Sequence, residues 1–203
     1  MMIAAALAFL VMLNPFALFI YLQPIMRELY PAAFRQVLFR ASIISLSIFL
    51  IFAVVGEFFF SRVLGINFEA FRIFGGIILF SYAFMFIIQG RRSLIAMKED
   101  LHDLASEIAL PFMVGAGTIS LSILLGHRFG PAKSLLVLPA VVAVNFFIVV
   151  TLTLVRKALS AELRVAFDKV MEMSLRLNGF FLGSIGLNMV IIGINNIYFP
   201  NVR

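Results

Sequence analysis

The sequence predicts an all-α membrane protein of six transmembrane helices, arranged as two inverted repeats of three helices each. Hydrophobic residues make up 63% of its 203 residues and the mean hydropathy is +1.11, which is more apolar surface than a soluble core can bury. Charged residues make up only 13% and are bunched, so that stretches such as 3–22 contain none. A helix of about 20 apolar residues crosses the roughly 30 Å of a bilayer, and the sequence lacks the alternating pattern of a membrane barrel.

Six apolar stretches have the length of a spanning helix, and they set the order of the elements. They are residues 3–22, 38–60, 71–89, 108–126, 134–155 and 177–199. The connections between them are short and carry proline or glycine residues, which punctuate helices. We therefore expect one transmembrane domain over residues 1–203, with a first repeat at about 1–92, a connection at about 93–107 and a second repeat at about 108–203.

The net charge of +6 and the pI near 10.2 are explained by membrane topology. Most of the lysines and arginines fall in the first, third and fifth connections, which share one face of a six-helix protein. Because basic connections remain in the cytoplasm, this distribution places both chain termini outside the cytoplasm. The basic excess is matched by the anionic lipid headgroups of the bilayer, so we infer no nucleic-acid partner.

Two connections have the periodicity of helices in their own right. Apolar residues recur at intervals of three and four in 93–108 and again in 156–175, with charged residues between them. This pattern predicts two amphipathic helices that lie along the membrane surface. The alternative is that both segments extend the neighbouring transmembrane helices into water.

The inverted repeat is indicated by similarities between the two halves. With an offset of 104 residues, the segment 71–75 lies over 175–179, and both contain an Arg and a Gly in register. With an offset of 100, Pro31 lies over Pro131 in the connection that follows the first span of each half. A unit of three helices crosses the membrane an odd number of times, so its second copy enters with the opposite orientation.

The first helix of each half carries residues that interrupt helices. Pro15 cannot donate a backbone hydrogen bond, while Gly115 and Gly117 each weaken a helix by about 1 kcal/mol relative to Ala. Irregular backbone inside a membrane is tolerated only where it is buried in protein or lines a watery cavity, and many transporters bind their substrates at such points. The candidate substrate-binding residues are therefore Asn14, Pro15, Gly115, Gly117, Thr118 and Ser120.

Simpler interpretations of the same residues stand beside this one. In the simpler interpretation, Pro15 produces a plain kink, and Gly115 and Gly117 allow helices to pack closely. In the last span we interpret three glycines, Gly179, Gly183 and Gly186, as a stripe for helix packing.

Three further polar residues are possible secondary members of the site. Asn178 and Asn188 lie in an apolar span and must find partners, for which hydrogen bonding between helices is the favoured role. Glu57 lies toward the end of the second span and is either a proton-coupling carboxylate or, as we favour, an interfacial anchor.

Several motifs resemble those of the MarC family over essentially the whole chain. They are the Asn14-Pro15 pair, the segments 64–66 and 71–77, the segment 111–120, and the Arg-Leu-Asn-Gly sequence at 176–179. The resemblance implies a six-helix protein of the plasma (inner) membrane. Members of the family are grouped with LysE-type exporters, and some members are described as small neutral amino acid transporters. The family pattern usually has a glycine at the position of Ala17 and prolines at the positions of Ile20 and Ala116.

These observations favour a secondary transporter of small polar solutes, with neutral amino acids as the implied substrate. The alternative is a non-transporting membrane scaffold that organises lipids or partner proteins through its glycine stripe. We do not expect an enzyme, a cofactor or a metal site, because the chain has no cysteine and its two histidines, His102 and His127, lie in connections. A homo-oligomer is possible on the same packing grounds.

Overall fold

The computed structural model describes residues 2–63, 65–90 and 113–198, and every regular element in these ranges is helical. The seven α-helices, numbered in chain order, are α1 (Met2–Leu13), α2 (Pro15–Glu28), α3 (Pro31–Phe58), α4 (Phe68–Gln89), α5 (Ala116–Phe129), α6 (Pro131–Ala158) and α7 (Ala161–Tyr198). A π-helical turn at Phe59–Val63 extends α3. The all-α prediction is confirmed for this part of the chain.

Five helical segments are long and apolar enough to cross a bilayer. They are Met2–Met26, Pro31–Gly56, Phe68–Gln89, Pro131–Ala158 and Ala161–Tyr198. Five of the six predicted spans therefore have a helix of sufficient length. The predicted span at 108–126 begins outside the described residues, and its described part belongs to the 14-residue helix α5.

The predicted surface helix at 156–175 is not a separate element. Residues 161–175 continue without interruption into the last span as the 38-residue helix α7, which is the alternative that the sequence left open. The chain turns at Leu159, which is extended, after α6 has ended at Ala158. Since α7 is about 57 Å long, its first turns project beyond the bilayer core. The other predicted surface helix, at 93–108, lies outside the described residues.

Helices α4 and α7 pack against each other through glycines. A Cβ on Gly186 of α7 would stand 2.7 Å from the carbonyl oxygen of Gly76 in α4, so neither position accepts a side chain. Gly179 and Gly183 face Ala83 further along α4. Because residue numbers rise along α4 as they fall along α7, the two helices are antiparallel. The glycine stripe therefore packs inside the chain, as the sequence predicted.

Helices α3 and α6 are also antiparallel. The rings of Phe39 and Phe146 meet edge to face, with centroids 6.1 Å apart. The first residue of α3, Pro31, lines the same groove as Lys157 at the end of α6. Both helices have 28 residues and begin with a proline.

Both ends of the described chain lie at the same end of the helix bundle. Val11 in α1 contacts Asn178 in α7, and Phe19 in α2 contacts Phe167 earlier in α7. The first span therefore runs antiparallel to α7, so that α1 begins toward the end of the bundle at which α7 ends.

The apolar side chains divide between a packed interior and a lipid-facing surface. Phe9 and Phe49 are fully buried and meet edge to face at 5.0 Å. In contrast, Ile3 and Leu136 are 76% and 75% exposed. Large exposed aliphatic side chains on long apolar helices belong in contact with lipid tails. The fold is therefore that of a protein embedded in a bilayer.

Candidate functional site

The first span is broken at Asn14, near its centre. Asn14 adopts the left-handed conformation (φ 47°, ψ 72°), and its Oδ1 accepts a hydrogen bond of 3.1 Å from the Ala17 N–H. Pro15 takes the first position of α2, where a missing N–H has no cost. Asn tolerates the left-handed region and is a favoured N-cap. The Asn-Pro pair therefore separates two helices and is more than a kink in one.

Asn178 of α7 replaces a hydrogen bond that Pro15 cannot make. In a continuous helix the Val11 carbonyl would accept from the N–H of residue 15, which proline lacks. The Asn178 Nδ2 donates to this carbonyl at 2.9 Å, and the Asn178 side chain is buried. The prediction that Asn178 bonds between helices is confirmed. The bond also places α7 beside the break in the first span.

A second break precedes α5. Val114 and Gly115 are not helical, and the extended Gly115 (φ −119°, ψ 171°) is the N-cap of α5. Glycine has no side chain with which to cap the helix, and Thr118 takes over this role. The Thr118 Oγ1 accepts from the Gly115 N–H at 2.9 Å and lies 3.0 Å from the Met113 carbonyl oxygen, to which it donates. The hydroxyl thus holds the chain in its turn into α5.

The two breaks lie side by side near the middle of the bundle. The end of the Met12 side chain is 2.8 Å from the place where a Cβ on Gly117 would stand, so the end of α1 packs on the first turn of α5. Leu79, at the centre of α4, contacts the same position. Gly117 is therefore needed for close packing. Gly115, in contrast, has no atom of the described residues within 4 Å of an added Cβ and is itself exposed.

Helices α2 and α5 leave these breaks in opposite directions along α6. Met26, near the end of α2, has its Sδ 3.2 Å from the Thr153 Oγ1 near the end of α6, whereas α5 ends at Phe129, shortly before α6 begins at Pro131. Both N-termini therefore face the centre of the bundle, each with the positive end of a helix dipole. The carbonyl end of α1 lies at the same level.

Buried polar atoms around the breaks retain unused hydrogen-bonding capacity. Within the described part of the chain, no protein partner is bonded to the Asn14 Nδ2, the Ser120 Oγ or either amide atom of Asn145. These side chains are nearly or completely inaccessible, with exposures of 3%, 2% and 0%. Buried polar groups are normally hydrogen-bonded, so these atoms have capacity for a further polar partner.

The register of the helices places Asn145 close to the breaks. Helices α2 and α6 run in the same direction and meet at Met26 and Thr153. Counting back eight residues along each helix sets Asn145 level with Leu18, about 6 Å beyond Asn14 along the bundle axis. Asn145 was not among the residues predicted for the site. The signal for it was present, because an amide lies at the centre of an apolar span.

The remaining predicted residues do not join this region. Asn188 is exposed on α7 and makes no hydrogen bond to the described part of the chain. The side chain of Glu57 lies outside the described residues. No group of three or more His, Asp or Glu residues that would hold a metal ion occurs in the ranges that the structure describes.

The breaks form although this sequence lacks the additional helix breakers that are usual in the family it resembles. Helix α2 continues through Ala17 and Ile20, which are both buried. Ala116 is the first residue of α5, the position that Pro15 takes in α2. Proline is compatible with the first position of a helix but is not required there. The interruption before α5 is therefore maintained by Gly115 and Thr118.

Long apolar helices in antiparallel packing, with two helix breaks among them, define an integral multi-pass membrane protein. Residues 1–198 match the family model of the MarC family integral membrane proteins. The chain therefore belongs to the MarC family.

Relatives in archaea and bacteria match over nearly their full length. A UPF0056 membrane protein of Pyrococcus horikoshii is 24% identical over 96% of this chain and 94% of the relative. A UPF0056 membrane protein of Pyrococcus abyssi is 28% identical over 86% of this chain and 84% of the relative. One from Aquifex aeolicus is 24% identical over 96% and 92%. No solved structure matches the chain.

Proposed function

We propose that the chain is a secondary transporter of small polar solutes, and that its substrates are neutral amino acids. The observation that carries this proposal is the pair of adjoining helix breaks, with the unpartnered polar atoms of Asn14, Ser120 and Asn145 buried around them. Helices broken near the bilayer midplane provide free backbone groups for a substrate, which a protein that only spans the membrane does not need.

The chemistry of the break at Asn14 suits a zwitterion. The N-terminus of α2 carries a partial positive charge, and the end of α1 presents carbonyl oxygens and a partial negative charge. A carboxylate is stabilised at the first and an ammonium group at the second. The Asn14 Nδ2 is a further donor on the carboxylate side, because its own Oδ1 caps α2. The two charged groups of an amino acid match this arrangement.

A neutral side chain on the substrate follows from the residues around the breaks. No Asp, Glu, Lys or Arg lies in the middle of any predicted span, so no opposite charge would neutralise a charged substrate side chain there. The open space beside Gly115 favours a small side chain.

Alternating access fits an inverted repeat of the two halves. The lengths of corresponding helices support this relation: α2 and α5 each have 14 residues, and α3 and α6 each have 28. Two halves of opposite orientation can close around a central site from either side in turn. We place the protein in the inner membrane with both termini outside the cytoplasm, and we assign it no catalytic activity.

Uptake into proteoliposomes tests this function. We expect radiolabelled glycine or alanine to enter vesicles that contain the protein faster than empty vesicles. Unlabelled alanine should compete, whereas propionate and ethylamine, which each lack one of the two charged groups, should not. Asn14→Ala should reduce the uptake, while the matched change Asn188→Ala at an exposed asparagine should not.

The same experiment separates the transporter from the scaffold alternative. Gly115→Val places a side chain in open space, so we expect it to lower uptake and to leave folding unchanged. Uptake no faster than in empty vesicles for glycine, alanine and a panel of other small solutes would rule out transport and leave the scaffold. The glycine stripe gives that alternative little support, because α4 already covers it.

A further inference from the structure

A groove on the lipid-facing side of the bundle lies far from the helix breaks. It separates the start of α3 from the end of α6 and has a volume of about 200 Å³. Its lining residues are Pro31, Phe34, Arg35, Val150, Thr153, Leu154 and Lys157. The groove therefore lies at the end of the bundle that carries most of the basic connections.

The groove has an apolar wall and a basic mouth. Phe34 is buried at its base, and Leu154 forms a wall that is 54% exposed. The hydroxyl of Thr153 donates to the carbonyl of Val149 in its own helix at 2.8 Å, so this hydroxyl is not free to donate a hydrogen bond into the groove. An aliphatic chain fits such a surface, and a polar solute does not.

Two cations at the mouth have no acidic partner among the described side chains. Arg35 and Lys157 are exposed and make no ion pair with the described part of the chain. Arg156, next in sequence to Lys157, differs because Asp168 holds it in two hydrogen bonds of 2.8 and 2.9 Å. The positive charge at the groove is therefore available to an anion from outside the protein.

We propose that this groove binds an anionic phospholipid. Its phosphate group pairs with Arg35 and Lys157 at the level of the headgroups, and one acyl chain lies along Phe34, Val150 and Leu154. Basic pockets between transmembrane helices recognise anionic headgroups in this way. The site is separate from the transport proposal, because none of its residues lies at the breaks.

Lipid retention measured by native mass spectrometry tests the site. The purified full chain would be equilibrated in mixed micelles with equal amounts of phosphatidylglycerol and phosphatidylcholine. Each basic side chain near a membrane favours anionic lipid about fivefold, so the two together predict a preference on the order of 30-fold for one retained phosphatidylglycerol. The double variant Arg35→Gln, Lys157→Gln should retain both lipids about equally.

Two further variants separate a built site from general attraction. The double variant Arg128→Gln, Lys133→Gln removes two exposed charges at the opposite end of the bundle and should keep the preference. Val150→Phe fills the groove without changing its charge and should lose the bound lipid. Equal retention of both lipids by the unaltered protein would overturn the proposal. So would displacement of the lipid by inorganic phosphate at a concentration equal to that of phosphatidylglycerol, or an equal loss in both double variants.

Discussion

The hydrogen bond from Asn178 to the Val11 carbonyl should depend on the presence of a proline at position 15. Asn178→Ala removes the donor and leaves a buried carbonyl whose helical partner, Pro15, has no N–H. In the variant Pro15→Ala, the new N–H can reach the Val11 carbonyl, so the amide of Asn178 is no longer required. The two substitutions are therefore expected to be coupled.

The expected magnitude follows from hydrogen bonds between membrane helices. Such bonds average about 0.6 kcal/mol and reach about 1.7 kcal/mol, and a carbonyl left unsatisfied lies at the upper end of that range. We expect Asn178→Ala to lower the free energy of unfolding by about 1.5 kcal/mol alone and by less than about 0.5 kcal/mol beside Pro15→Ala. The coupling energy is then about 1 kcal/mol.

Equilibrium unfolding by SDS in mixed micelles, followed by circular dichroism, measures all four proteins of this cycle. Asn188→Ala is the control, because this exposed asparagine on the same helix makes no hydrogen bond to the described part of the chain, and it should change stability by less than about 0.5 kcal/mol. Equal destabilisation by Asn178→Ala in both backgrounds would refute the account of the break, since Pro15 would then have no part in it.

Three other outcomes are expected. Gly117→Leu forces its side chain into Leu79 and Met12 and should destabilise the fold by about 3 kcal/mol, whereas Gly115→Val should change unfolding by less than about 0.5 kcal/mol; SDS unfolding compares them. Asn14→Ala removes the cap of α2 and should cost about 1 kcal/mol in the same assay. Because the chain has no cysteine, single cysteines can be introduced to test the topology. A cysteine near either chain end should react with an impermeant maleimide from outside intact cells, whereas a cysteine at Ser160 should react only after permeabilisation. Labelling of the two ends from different sides would contradict the topology.

Local chemistry made part of the site predictable from the sequence. Pro15 cannot complete a helix, and Gly115 and Gly117 weaken one, so the positions of both interruptions follow from these residues alone. The roles of the two glycines could not be separated in this way. Gly117 touches Leu79 and Met12, while Gly115 borders open space, and this difference depends on neighbours far away in the chain.

Long-range pairings were beyond the reach of the sequence for the same reason. The bond from Asn178 to Val11 and the buried position of Asn145 depend on how α6 and α7 pack beside the first span. The misassigned surface helix has another cause. An amphipathic repeat over 161–175 has the same period whether the helix lies on a membrane or continues one that crosses it, so periodicity cannot separate the two.

The bond between Asn178 and Val11 also constrains the order of synthesis. Its two residues are 167 positions apart, so Asn178 leaves the ribosome long after the first span. Until α7 has been made, the amide of Asn178 is not there to bond to the Val11 carbonyl. The first span therefore reaches its observed hydrogen bonding only when α7 docks beside it.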